Sequence, residues 1–269
     1  MKKIIALLMV VAMLFCFAGC TKAPDPSEDS KKEVIVVGYT LVKPLNYIDE
    51  QGNLVGFDTE LAQKVFGDLG YDVVFKKIEW SAKYTELNAN SIDCIWNGFT
   101  ANCADDDGVM RSDKVDFSYN YMENYQVVVA KTDSGIASAE DLKGKIGVAE
   151  GGSAGEGYAK SFEGVASVKS VLVQTDALLE VASGSASFAV VDVQLAKSTV
   201  GNGDYANMKI VDSLSSDTEY YAIGFRKGSD LTALVNGKLD QLAKDGYIAE
   251  LAAKYNVAET TFTDFSNQK

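Results

Sequence analysis

Apolar residues along this chain recur with two different periods, and the alternation between them predicts a layered fold of strands and helices. Residues 34–37 form an uninterrupted β-branched run closed by Gly38, the pattern of a buried strand. Leu61, Ala62, Val65, Phe66 and Leu69 then share one face of a helix, which Asp58 is placed to cap and Gly70 to stop. A strand over 73–75, a polar helix over 82–88 and a strand over 92–99 complete a β-α-β-α-β series. Such alternation indicates a parallel sheet.

A second series begins beyond Tyr125. Strands are predicted over 126–130, 145–149, 170–173 and 187–191, with helices over 154–162 and 177–182. Ser138 and Asp141 have the spacing of an abbreviated capping box. The last stretch is different: Leu231, Leu234, Val235, Leu239 and Leu242 give one helix, Gly246 breaks it, and Ile248, Leu251, Ala252 and Tyr255 give another. With no third sheet to cover, these helices are expected on the first lobe. The chain then crosses between lobes twice, near Asn124 and near Tyr221, and two crossings make a hinge.

The N-terminus carries a separate signal. Lys2 and Lys3 precede fourteen residues, 4–17, that are apolar throughout. That run is short for a membrane-spanning helix, which needs about twenty residues, and suits a secretory leader. Ala18 and Gly19 before Cys20 resemble the bacterial lipobox, which implies cleavage after residue 19 and a lipid on Cys20. An ordinary leader with a chance cysteine is the plainer reading. Residues 20–32 are polar, hold Pro24 and Pro26, and read as a flexible tether.

Composition narrows the chemistry. The net charge is −13, which opposes contact with nucleic-acid phosphates and with anionic lipid. There is no histidine. Ser-His-Asp and Cys-His nucleophile systems are therefore absent, as is the commonest metal ligand. Of four cysteines, Cys16 leaves with the leader and Cys20 is assigned to the lipid. Cys94 and Cys103 could form a disulfide in an oxidising compartment, or Cys94 could be an ordinary buried thiol. The run Asp105-Asp106-Asp107 lacks the alternating ligands of a calcium loop and reads as solvated.

Six short segments occur in order: Gly56-Phe57-Asp58; Trp80 with Leu87, Ile92-Asp93 and Gly98-Phe99-Thr100; Arg111 with Val115-Asp116-Phe117-Ser118 and Tyr121; Leu142-Lys143-Gly144 with Gly147-Val148 and Gly152-Ser153; Val190-Val191-Asp192; and Tyr221-Ala222-Ile223-Gly224-Phe225-Arg226-Lys227-Gly228. Together, over 33–255, they resemble the polar amino-acid-binding proteins of ABC importers. The resemblance implies an α/β, periplasmic-binding-protein-like fold of two lobes, each a mainly parallel sheet flanked by helices, joined by a two-strand hinge. Lobe 1 would comprise 33–124 and 222–269, and lobe 2 would comprise 125–221.

The resemblance also implies a site. Arg111, with Gly98 and Thr100, would hold the α-carboxylate of an amino acid, because a guanidinium fork suits a carboxylate. Asp192 would meet the α-ammonium, Ser153 would add a hydroxyl, and Trp80 would stack on the ligand; Trp96, Tyr39 and Tyr47 are further aromatic candidates. Gly98 would offer a free backbone group, and the turn Gly151-Gly152-Ser153 free N–H donors, at the ends of strands. Each residue also has a plain use: a solvated arginine, an Asp capping the next helix, glycines in a turn, aromatics in a core. Between Thr100 and Arg111, residues 102–110 intervene, about six residues more than the family has, and this insertion bears on the reach of Arg111.

The partners implied are a small amino acid and the importer's membrane subunits, with the membrane touched only through the lipid, no nucleic acid, no cofactor or metal, and a monomeric, exported chain. The rival is a dehydratase of cyclohexadienyl or arogenate type on the same scaffold, with Glu150 as its acid. Side-chain preference stays open: Lys43 or Lys83 would suit an acidic ligand, Asp58 or Glu150 a basic one.

Overall fold

The computed structural model describes residues 32–268; the leader, Cys20 and the tether up to residue 31 lie outside them. Strand Val34–Tyr39 is flanked in parallel by Asp72–Lys77 and Cys94–Ile95. The sheet then continues antiparallel through Gly224–Phe225 to Asp116–Phe117. Helix Phe57–Asp68 buries Leu61, Ala62, Val65 and Phe66 on it. Helices Leu231–Lys244 and Tyr247–Lys254 place Val235, Leu239, Ile248 and Leu251 in the same apolar cluster. Each such aliphatic side chain contributes about 1.5–3 kcal/mol when fully buried, enough to fix where the C-terminal segment lies.

The second sheet has the order Ser167–Val171, Ile146–Glu150, Phe188–Asp192, Gln126–Lys131 and Met208–Ser215. The first three strands are parallel, and Gln126–Lys131 runs against both of its neighbours. Its direction follows from its origin. It leaves the hinge strand Met122–Asn124, so it starts at the cleft where the parallel strands end, and its first residue, Gln126, lies opposite Asp192. The chain returns through Glu219–Tyr221, which pairs antiparallel with Met122–Asn124. These two strands join the lobes.

Two local expectations are corrected. Asp58 does not cap its helix: Gly56 holds the cap position at φ +131°, and the buried Asp58 carboxylate points inward. The strand expected over 92–99 is only Cys94–Ile95. Beyond it the chain bends at Gly98, φ +56°, and turns to the hinge, where Phe99 C=O accepts from Ala222 N–H and Ala101 N–H donates to Tyr220 C=O. A Cβ at Gly98 would lie 3.0 Å from the Tyr221 ring and 3.1 Å from Leu45, so glycine is required twice over. Among the described residues no helix is long and apolar enough to cross a membrane.

Candidate ligand-binding site

Trp80, Gly98, Thr100, Arg111, Ser153 and Asp192 line one cavity between the lobes, with Asn97, Glu150, Ala154 and Gln174 completing it. Its volume is about 10 Å³, the room a single water needs. The strand ends explain the convergence. Glu150 and Asp192 are the last residues of parallel strands in the second sheet, and Gly98 follows a strand of the first.

Arg111 is buried, and the insertion anchors it. Its Nε donates to Asp105 Oδ1 at 2.8 Å, and its Nη1 donates to Thr100 C=O at 3.2 Å. Asp105 also accepts from Lys114 Nζ and from the Tyr84 hydroxyl. Burial opposes charge on Asp105, but Lys114, Tyr84 and Arg111 together hold its carboxyl down to about 2. The acidic run is thus a hub of ion pairs at Asp105 instead of a purely solvated loop. Arg111 Nη2 reaches across the cleft to Gly152 C=O at 3.4 Å.

Asp192 precedes helix Val193–Thr199 but makes no side-chain cap. Its Oδ1 accepts from Asn124 at 2.9 Å and Gln126 at 2.6 Å, and its Oδ2 accepts from Gln174. Glu219, on the returning hinge strand, accepts from Thr100 Oγ1, Asn124 and Gln126. Burial and then the nearby Asp192 charge push the Glu219 carboxyl up. Glu150 is pushed up to about 8, by burial first and then by Asp192.

Two groups expected to be free are occupied. Gly98 N–H donates to Asp58 Oδ2 at 3.0 Å, and the Tyr121 hydroxyl donates to the same oxygen at 2.9 Å. Asp58, raised to about 7 by its burial, thereby fixes the bend from behind. In the glycine turn, Gly151 N–H goes to Val171 C=O, Gly152 N–H to Glu156 Oε2, and Ser153 N–H to Glu150 C=O. Ser153 Oγ caps helix Ala154–Ser161 by accepting from Glu156 N–H. The turn therefore faces lobe 1 with a carbonyl. Gly152 C=O accepts from Lys83 Nζ at 3.1 Å as well as from Arg111.

Lys83 is buried, 5.0 Å over the Trp80 ring and 4.8 Å over that of Tyr84. Burial, then the positive charge of Arg111, lowers its ammonium to about 8. Trp80 packs edge-on against Phe99. Trp96 sits in the core of the first lobe beside Phe66, and neither Tyr39 nor Tyr47 lines the cavity. Cys94 and Cys103 are free thiols, Cys94 buried and Cys103 half-buried. Among the described residues no acid or cysteine cluster could hold a metal ion.

No local sequence pattern marks Gln126, Asn124, Gln174 or Glu219 as a site residue. The one available signal was positional: Gln126 opens the strand that follows the first crossing, and Glu219 adjoins the second.

The family model for bacterial extracellular solute-binding proteins, family 3, matches residues 35–258. The arginine-binding extracellular protein ArtP of Bacillus subtilis (strain 168) is 28% identical over 261 residues, covering 96% of this chain and 100% of its own. An ancestral arginine-binding protein bound to arginine superposes with a TM-score of 0.74 at 33% identity, covering 84% of this chain and 99% of that one. An ABC uptake transporter substrate-binding protein from Streptococcus pneumoniae with bound histidine gives 0.72 at 30% identity, covering 82% and 92%. With two lobes, a hinge of paired strands and a family match over most of its length, the chain belongs to the bacterial extracellular solute-binding proteins, family 3.

Proposed function

We infer that this protein captures one free amino acid between its lobes and presents it to the membrane subunits of an ABC importer. The carrying observation is that Arg111, from one lobe, and Asp192, ending a strand of the other, line the same cavity. An amino acid sealed there loses water from both of its charges, and each needs an opposite partner inside. Arginine- and histidine-binding relatives support the ligand class. Trp80, Gly98, Thr100 and Ser153 shape the pocket around the zwitterion.

A cavity of about 10 Å³ is too small to admit such a ligand from solution. Entry therefore requires the lobes to part about Met122–Asn124 and Glu219–Tyr221, with 33–124 and 222–269 moving against 125–221. The protein binds and releases as a monomer without catalysis: Asp192 offers an ammonium partner that a dehydratase of a keto acid does not need, and the relatives are binding proteins. Calorimetric titration with the common amino acids and cystine should find at least one saturable ligand. Small-angle scattering should then give a smaller radius of gyration for the saturated protein. No ligand in the panel, or an unchanged profile at saturation, would sink this reading.

The export signal and Cys20 support a lipid anchor on the outer face of the membrane. Cys20→Ser should move the protein from the membrane to the soluble fraction with ligand binding intact. A mutant that still pellets with membranes after leader removal would refute the anchor.

A further inference from the structure

The cavity holds one ionisable group more than a zwitterion can pair. Its ionisable lining residues are Arg111, Asp192 and Glu150. On the amino-acid reading, Arg111 takes the carboxylate and Asp192 the ammonium, which leaves Glu150. That side chain is 2% exposed, and its Oε1 has no hydrogen-bond partner. A buried carboxyl oxygen without a partner is destabilising, more so when charged, so the site favours a ligand that brings a donor to it.

The neighbouring cations do not supply it. Arg111 donates to Asp105 and to the Thr100 and Gly152 carbonyls, none of them Glu150, and its remaining N–H donors are those assigned to the ligand carboxylate. Lys83 donates to Gly152 C=O and lies over Trp80 and Tyr84. Gln174 gives its Nε2 to Asp192 and also acts on the Glu150 carboxyl, yet leaves Oε1 without a partner. The fields of Lys83 and Arg111 favour the ionised carboxylate, against burial and Asp192, but Oε1 stays open.

We propose that Glu150 is the specificity residue of this site and that its ligand is an amino acid with a cationic side chain, whose N–H donors pair with Glu150 Oε1. The Trp80 ring lines the same cavity with Lys83 already over it, so the aromatic surface there is one on which a cation is held. This rests on the amino-acid reading and adds the side-chain class to it. Burial raises the Glu150 carboxyl to about 8, and a cation bound beside it would favour the ionised form, so the pairing should release a proton near neutral pH.

The test uses matched pairs of nearly equal shape, L-arginine with L-citrulline and L-lysine with L-norleucine, titrated into the wild-type protein and into Glu150→Gln. In at least one pair the wild type should favour the cation by about 30-fold or more. Glu150→Gln should erase that preference by weakening the cation about 30-fold while moving the neutral partner less than about threefold. Retained binding of the neutral partner also reports that the variant is folded. If neither cation is preferred, or if Glu150→Gln weakens both members of a pair equally, the assignment is wrong. If no amino acid of any class binds, the fault lies instead with the underlying reading of the site.

Discussion

Arg111→Met should weaken amino-acid binding by about 30- to 5,000-fold, the effect of removing one partner of a desolvated charge pair. Methionine keeps most of the buried volume, so the loss reports charge and hydrogen bonds more than a cavity. The free protein should remain folded, because Asp105 keeps Lys114 and Tyr84 when the guanidinium is gone. The same variant should lose most of its discrimination between an amino acid and its amide, since only the carboxylate carries the charge that Arg111 reads. Binding within about threefold of wild type, under 1 kcal/mol, would mean that Arg111 serves Asp105 and the Gly152 carbonyl and not the ligand.

Asp192→Asn is expected to act on the other end of the ligand with similar force, about 30- to 5,000-fold. The ammonium then meets an amide oxygen in place of a carboxylate. Discrimination against the deaminated acid should fall along with affinity. Folding should tolerate the change better than binding does. Glu219 and Glu150 are both raised in part by the Asp192 charge, so neutralising it eases repulsion among three buried acids. Calorimetry with an amino acid and its deaminated analogue, beside a thermal melt, separates the two effects. Unchanged selectivity for the amino group would count against Asp192 as the ammonium partner.

Much of the architecture was legible because β-branched runs and helical periods are local signals. Val34–Tyr39 and Phe188–Asp192 both follow directly from their composition. That Trp80, Gly98, Thr100, Arg111, Ser153 and Asp192 come together in one cavity was visible only through the order of the six motifs. What stayed hidden depends on contacts between distant segments. Asp58 looked like a cap from its place before a helix, yet its carboxylate is spent on Gly98, forty residues on. The glycine turn looked like an anion cradle, but Glu156 and Val171 had already claimed two of its N–H groups. The amides of Asn124, Gln126 and Gln174 carry no local pattern, since only the tertiary fold shows what they hold. The insertion over 102–110 was a length difference until Asp105 was found on Arg111.

The amide of Asn124, on the outgoing hinge strand, donates both to Asp192 and to Glu219, on the returning one. Bending either strand therefore pulls on the carboxylate assigned to the ligand, and a ligand seated there stiffens both. The consequence is one of timing: the residence time of the cargo and the frequency of opening are set by the same few bonds. A substitution such as Asn124→Ala, which removes no group assigned to the ligand, would then shorten the lifetime of the complex through its dissociation rate while leaving the rate of capture nearly as it was.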